Sequence, residues 1–151
     1  MKRQPKVPSF VGLEPASALC SRIKKANTSC NTRHEVALQS ELSEQGLQFQ
    51  INARNVPGKP DIVFPKAHLA VFCDGDFWHG RNWRVLRRNL ARGTNAGYWC
   101  AKISRNIKRD KEITSLLKRS GWRVVRVWES DIKENARAIA MQLGKILRDR
   151  V

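Results

Sequence analysis

The stretch Cys73-Asp74-Gly75-Asp76-Phe77-Trp78-His79 brings two acids, two aromatics and an imidazole to the end of an almost wholly apolar run, residues 69–73. An imidazole titrates close to neutrality and can take a proton from water. A carboxylate able to orient it stands in the segment 95–120. There Trp99, Ile103, Asn106, Asp110, Ile113 and Leu117 recur at steps of three and four and share one helical face. An acid on such a face is costly unless it is paired or turned toward a polar site. His79 with Asp110 would follow the carboxylate–imidazole logic of an activated nucleophile. Asp61 follows Pro60 at the start of a predicted strand, where aspartate is disfavoured. A carboxylate at a strand end beside a long loop suits a hard cation. Glu35 completes the capping-box pattern Thr32-Arg33-His34-Glu35. Taken singly, each residue has a plain structural reading: a turn cap for Asp61, a capping partner for Glu35, a satisfied buried acid for Asp110, core for Phe77 and Trp78. Their conjunction is what points to a site.

The elements that must position these residues follow from periodicity. A helix begins at Thr32, carries Val36, Leu38 and Leu42, and stops at Gly46. Leu47, Phe49 and Ile51 alternate with polar residues as a half-buried strand does. The turn 56–60 leads into a second strand, 61–64, and residues 69–73 predict a central strand. Residues 80–95 are expected to form a loop long enough to carry function. A helix over 95–120 ends at Gly121, a strand covers 122–128, and a last helix runs over 131–149 with Ile132, Ala136, Ile139 and Leu143 inward. This order predicts an α/β fold, a central mixed sheet flanked by helices. Residues 1–30 are expected to be an irregular basic arm with a short helix over 16–25, ahead of a single domain over 31–151.

The chain has 151 residues, with 29 Lys and Arg against 13 Asp and Glu, a formal net charge of +16. Solubility alone needs a net charge of only about 2–8, so a polyanionic partner is implied. Residues 2–33 hold a single acid, Glu14, and residues 81–111 hold only Asp110. No segment joins a basic face to a broad apolar one, which argues against a membrane surface and for nucleic acid. No apolar run is long enough to span a bilayer, and the N-terminus MKRQPKVPSF lacks a signal-peptide core. The protein is therefore expected in the cytoplasm. Cys20, Cys30, Cys73 and Cys100 are widely spaced, and with His34, His68 and His79 they complete no zinc pattern.

The blocks VPGKPDIVFP, LAVFCDGDFWHG, YWCAKISRNIKRDKE and GWRVVRVWESDI, with RHEVALQSELSEQGLQFQ upstream, resemble the very short patch repair (Vsr-type) DNA endonucleases over roughly 22–132. The resemblance implies a restriction-endonuclease-like three-layer fold and Mg²⁺-dependent nicking of double-stranded DNA at a T·G mismatch, in a bacterial or phage-encoded, nucleoid-associated enzyme. It matches Asp61 to the metal-binding aspartate and Cys73 to a position whose main-chain carbonyl is a second metal ligand. It matches His79 to the catalytic histidine, Asp110 to the acid that orients it, and Glu35 to a glutamate that holds metal-bound water. Phe77 and Trp78 match aromatics that wedge into the duplex. Asn106, on the same helix face as Asp110, is an expected DNA-binding residue, and Arg22, Lys24, Lys25, Arg81, Arg84, Arg87 and Arg88 are the expected DNA-gripping cations.

Two departures stand out. Where the family holds a structural zinc, this chain reads Asp76, Arg81, Trp83 and Ser130, so no zinc is expected there, and an Asp76–Arg81 ion pair is the stand-in. Asp74 replaces a histidine near the cleaved phosphate and is a candidate extra metal ligand. Three other readings stay open: a homing or defence-associated nuclease that reads a site rather than a mismatch, an inactive DNA-binding module, and an RNA-binding structural protein. One domain with one site points to a monomer, whereas cutting of both strands would favour a transient dimer.

Overall fold

Thr32 opens the first helix by the expected device. In the computed structural model, which describes residues 31–149, its side chain accepts the Glu35 backbone N–H at the start of α1 (Arg33–Glu44). The helix buries Leu38 and Leu42, and Gly46 leaves it at φ +71°, a conformation open to glycine at no steric cost.

Four strands follow: β1 (Gln50–Ile51), β2 (Ile62–Phe64), β3 (Leu69–Asp74) and β4 (Arg123–Trp128), paired in the order β1-β2-β3-β4. β1 and β2 are antiparallel, as are β2 and β3. β3 and β4 are parallel, with Phe72 opposite Arg126 and Asp74 opposite Trp128. All six residues of β3 are buried, as its apolar run predicts for a central strand. Between the strands lie α2 (Trp83–Ala91) and α3 (Ala96–Arg119), and α4 (Glu129–Arg148) ends the described chain.

The described residues group into two compact units, one over 77–110 and one made of 31–76 with 111–149. In the second, alternate sheet residues feed two cores. Ile62, Phe64, Leu69, Val71, Cys73 and Val127 pack with Leu38 and Leu42 of α1 and with Ile132, Ala140 and Leu143 of α4. Val63, Ala70 and Phe72 pack on the other face with Ile113 and Leu117, from the end of α3. Helices on both faces of a mixed sheet make the expected α/β layering.

Three expectations are corrected. Residues 80–95 are not a loop, because α2 occupies their centre. Trp83, Leu86 and Leu90 are half-buried at helical spacing, and the arginines between them are exposed. The first strand shrinks from 47–51 to Gln50–Ile51, since the Leu47 N–H closes the end of α1 on the Leu42 carbonyl and both β1 residues are exposed at the sheet edge. The last helix begins at Glu129 and is kinked at Asn135 (φ −156°, ψ 76°), whose side chain caps the Ala138 N–H at 2.9 Å. The short helix expected at 16–25 lies outside the described residues.

Candidate active site

The sheet end is built from the turn before β2 and the last residues of β3. Gly58 stands at φ +81°, and a Cβ there would run into Ile113, so the Pro57-Gly58 turn lies tight against the end of α3. Backbone bonds from Asn52 to the Asp61 carbonyl (3.1 Å) and from Ala53 to Pro60 (3.3 Å) then fix Asp61 at the mouth of β2. Its Oδ2 accepts the Cys73 backbone N–H at 2.7 Å, a short charge-assisted bond that ties the two strands together.

Acids crowd this end of the sheet. Burial pushes the Cys73 thiol far up from its ordinary value, and the negative charges of Asp61, Glu35 and Asp74 push it further. Cys73 is thus a protonated thiol at any physiological pH, a poor side-chain ligand. Glu35 is only 4% exposed. Its backbone N–H reaches Thr32 Oγ1 at 3.5 Å, while its Oε2 is buried with no hydrogen-bond partner among the described residues. A capping box alone leaves that oxygen unexplained, since buried polar atoms are nearly always satisfied. Asp74, also 4% exposed, receives Arg126 Nη1 at 2.9 Å on both of its oxygens. Sequence reasoning missed Arg126. It sits 52 residues away, and only the β3–β4 register brings it opposite.

Asp76 Oδ1 accepts the Ser130 backbone N–H at 3.2 Å, at the start of α4. Two positions that the resemblance assigns to zinc ligation are therefore joined by a helix cap, a carboxylate at the positive end of a helix.

In the unit 77–110 His79 and Asp110 are in contact. His79 Nδ1 lies 2.6 Å from Asp110 Oδ2. With Nδ1 donating to the carboxylate, Nε2 becomes the basic nitrogen. The side chains are 25% and 14% exposed, so the imidazole remains within reach of solvent. Gly80 follows at φ +68°, and a Cβ there would come within 2.5 Å of Ile107. The chain therefore turns close against α3 immediately after His79. Asn106 donates from Nδ2 to the Trp78 carbonyl at 2.9 Å. The two polar residues of the predicted stripe thus hold the backbone and the side chain of consecutive residues, 78 and 79, while Trp99 and Ile103 on the same face are buried.

Phe77 and Trp78, both partly exposed, pack edge-on at 5.2 Å between centroids and meet Trp99 at 5.5 and 6.0 Å. Tyr98 adds a fourth ring, 5.1 Å from Trp99. Lys102 Nζ lies 5.4 Å from the Trp78 ring centre and donates to the Tyr98 hydroxyl at 3.2 Å. Tyr98 and Lys102 were not singled out from sequence. Their signal was the i, i+4 step beside the apolar stripe. Arg84, Arg87 and Arg88 are exposed on α2, and Arg81 is half-exposed before it. Arg22, Lys24 and Lys25 lie outside the described residues.

Residues 16–85 match the family model for the DNA mismatch endonuclease Vsr. The chain is 40% identical over 126 residues to the type II nicking enzyme V.NmeDIP of Neisseria meningitidis serogroup C, covering 83% of this chain and 84% of the relative. It is 39% identical over 119 residues to the type II nicking enzyme V.XorIIP of Xanthomonas oryzae pv. oryzae, covering 79% and 85%. It is 33% identical over 113 residues to the DNA mismatch endonuclease Vsr of Escherichia coli K12, covering 75% and 70%. Likeness of this depth along most of the chain, on a mixed α/β sheet of the kind that family's restriction-endonuclease-like fold requires, makes this protein a member of the Vsr family of DNA-nicking endonucleases.

Proposed function

We propose that the protein is a Mg²⁺-dependent endonuclease that cuts one strand of double-stranded DNA at or beside a T·G mismatch, with His79 as general base. The observation that carries this reading is the 2.6 Å contact between His79 Nδ1 and Asp110 Oδ2. It fixes the tautomer in which Nε2 accepts a proton, as activation of a water nucleophile requires.

The donors at the sheet end fit a hard divalent cation. They are oxygens, the adjacent thiol is held protonated, and Glu35 Oε2 is a buried acceptor with no hydrogen-bond partner among the described residues. Asp61 and the Cys73 main-chain carbonyl would hold the ion, with Glu35 orienting water beside it. When bound, such an ion polarises a phosphoryl oxygen and stabilises the departing oxyanion. Asp61 keeps the Cys73 backbone in place through its 2.7 Å bond. Asp110 stabilises the imidazolium that His79 becomes.

Recognition falls to cations and rings. Arg81, Arg84, Arg87 and Arg88, together with Arg22, Lys24 and Lys25 of the basic arm, engage phosphates, which sets register without reading sequence. Phe77 and Trp78 offer stacking surface for an unstacked base step, an exchange of a few kcal/mol in each direction. Asn106 supports this indirectly by holding the Trp78 carbonyl. No helix among the described residues is long and apolar enough to cross a membrane. Action on DNA in the cytoplasm, by a monomer, belongs to the same proposal.

Cleavage of end-labelled duplexes, T·G-containing and fully matched, with Mg²⁺ and with EDTA, tests the proposal. A single-strand nick that needs both Mg²⁺ and the mismatch is expected. Equal nicking of matched duplexes would replace mismatch reading by site reading. Tight binding without cleavage under any divalent ion would leave a DNA-binding module.

A further inference from the structure

Asp74 stands beside the proposed metal ligands, yet the chain has already supplied it with a cation. Arg126 Nη1 lies 2.9 Å from both Asp74 oxygens. Its Nε donates to Thr114 Oγ1 at 3.0 Å, and its guanidinium carbon lies 4.2 Å from the centre of the Phe72 ring. The arginine is therefore held at three points, by a carboxylate, a hydroxyl and an aromatic face. Phe72 and Arg126 are direct partners in the parallel β3–β4 pair, and Asp74 is two residues beyond Phe72 on the same side of β3. The clamp follows from strand alternation.

We infer that Arg126 withholds Asp74 from the metal, so that the site takes one divalent ion on Asp61 and the Cys73 carbonyl, with Glu35 orienting water beside it and Asp74 a fixed structural anion. The inference rests on the metal-dependent reading above. Two negative charges, Asp61 and Glu35, match one divalent cation, and the third is cancelled by the guanidinium. The Asp74 side chain is 6% exposed and that of Arg126 21%, so a hydrated ion could take Asp74 only by stranding a half-enclosed guanidinium, an unfavourable exchange. The contrast with Glu35, whose Oε2 has no hydrogen-bond partner among the described residues, separates the acid kept for the ion from the acid kept for the fold. The Cys73 peptide, whose carbonyl would face the ion, is held by Asp61 through the Cys73 N–H, so the Arg126–Asp74 pair is not needed to keep that carbonyl in place.

Mn²⁺ binding to the full chain, followed by electron paramagnetic resonance and calorimetry without DNA, tests this. The parent is expected to bind one Mn²⁺, and Asp74→Asn to bind one with an affinity within twofold. Arg126→Met, which frees a carboxylate, is expected to bind a second Mn²⁺ or to bind the first about tenfold tighter, since ligand charge count sets affinity. The double variant D74N/R126M is expected to return to parental binding. Loss of tenfold or more in Mn²⁺ affinity in D74N would make Asp74 a ligand and overturn the inference, as would parental binding in a folded R126M. Circular dichroism reports folding, and D74N decides alone if R126M does not fold. Asp61→Asn separates this from failure of the underlying reading. If D61N binds Mn²⁺ as the parent does, the metal site itself is misplaced, whatever Arg126 does.

Discussion

Asp74 and Asp110 are acids in similar surroundings with unlike partners. Asp110 faces an imidazole at 2.6 Å, and Asp74 faces a guanidinium at 2.9 Å. An imidazole gains and loses a proton near neutral pH, whereas a guanidinium keeps its own. The first pair can move a proton during a reaction and the second cannot. The partner, more than burial, decides whether a carboxylate serves chemistry or architecture. The two regions therefore predict different phenotypes. Disabling the His79 pair should cost rate with the fold intact, and disabling the Asp74 pair should cost fold stability first.

The sharpest break is His79→Ala. General-base catalysis contributes roughly 10²–10⁴-fold, so nicking of a T·G duplex is expected to fall about 10³-fold while duplex binding stays within twofold. Plasmid nicking and filter binding read the two quantities. Nicking at the parental rate would remove His79 from the mechanism. On the other side, Arg126→Met leaves a nearly enclosed carboxylate without its cation. The full cost of breaking a buried pair is about 3–5 kcal/mol, and partial exposure of the arginine places the expected loss near the lower figure. Urea unfolding checks it, and the isosteric double variant with Asp74→Asn should recover most of the loss. Asp110→Asn should sit between the two phenotypes. The imidazole stays but loses the charge that fixes its tautomer, and nicking is expected to fall about 10²-fold with unchanged urea stability. An unfolded D110N would mean that Asp110, like Asp74, serves architecture.

The same contrast explains what could be read from the sequence. His79 and Asp110 were legible because the helix periodicity of α3 exposes a polar intrusion, Asn106 and Asp110, in an apolar stripe, and an acid there demands a partner. β3 was legible from its unbroken apolar run and α1 from its cap. Arg126 was not, because it sits in β4 among valines and its partner is set by a parallel register that no local pattern encodes. Helix α2 was missed for another reason. Arginines fill its outer face, and Asn82 before it adopts φ +51° without capping through its side chain, so both the stripe and the start signal were masked. The kink at Asn135 was hidden because the apolar positions on either side, Ile132 and Ala136, keep helical spacing across it.

Finding α2 as a helix turns its arginines into a test of the second kind of cation, one that faces solvent. Arg84, Arg87 and Arg88 are exposed, and each phosphate contact contributes about 0.9 to the slope of log affinity against log salt concentration. Replacing all three by Gln should flatten that slope by about 2–3 and weaken matched and mismatched duplexes alike. Loss confined to the mismatched duplex would make α2 a reader of bases.

The smallest effect concerns the Cys73 thiol, on which burial and the neighbouring acids act together. Its folded pKa is raised above the ordinary value of 9.0, first by burial and then by Asp61, Glu35 and Asp74. The native state thus keeps a proton that the unfolded chain releases as the pH passes 9. Below that pH both states are protonated and the contribution to stability is constant. Above it the unfolded state binds fewer protons, so stability falls as pH rises, by at most about 1.4 kcal/mol per pH unit. Urea midpoints at pH 8 and pH 10 should therefore differ more in the parent than in Cys73→Ala. The thiol should also resist iodoacetamide at pH 9 until the chain unfolds, as peptide mapping of Cys73 would record. Rapid alkylation of Cys73 in the native protein would mean that the sheet end is open and its charges screened. The acids there would then lose the low-dielectric setting that distinguishes them from exposed carboxylates.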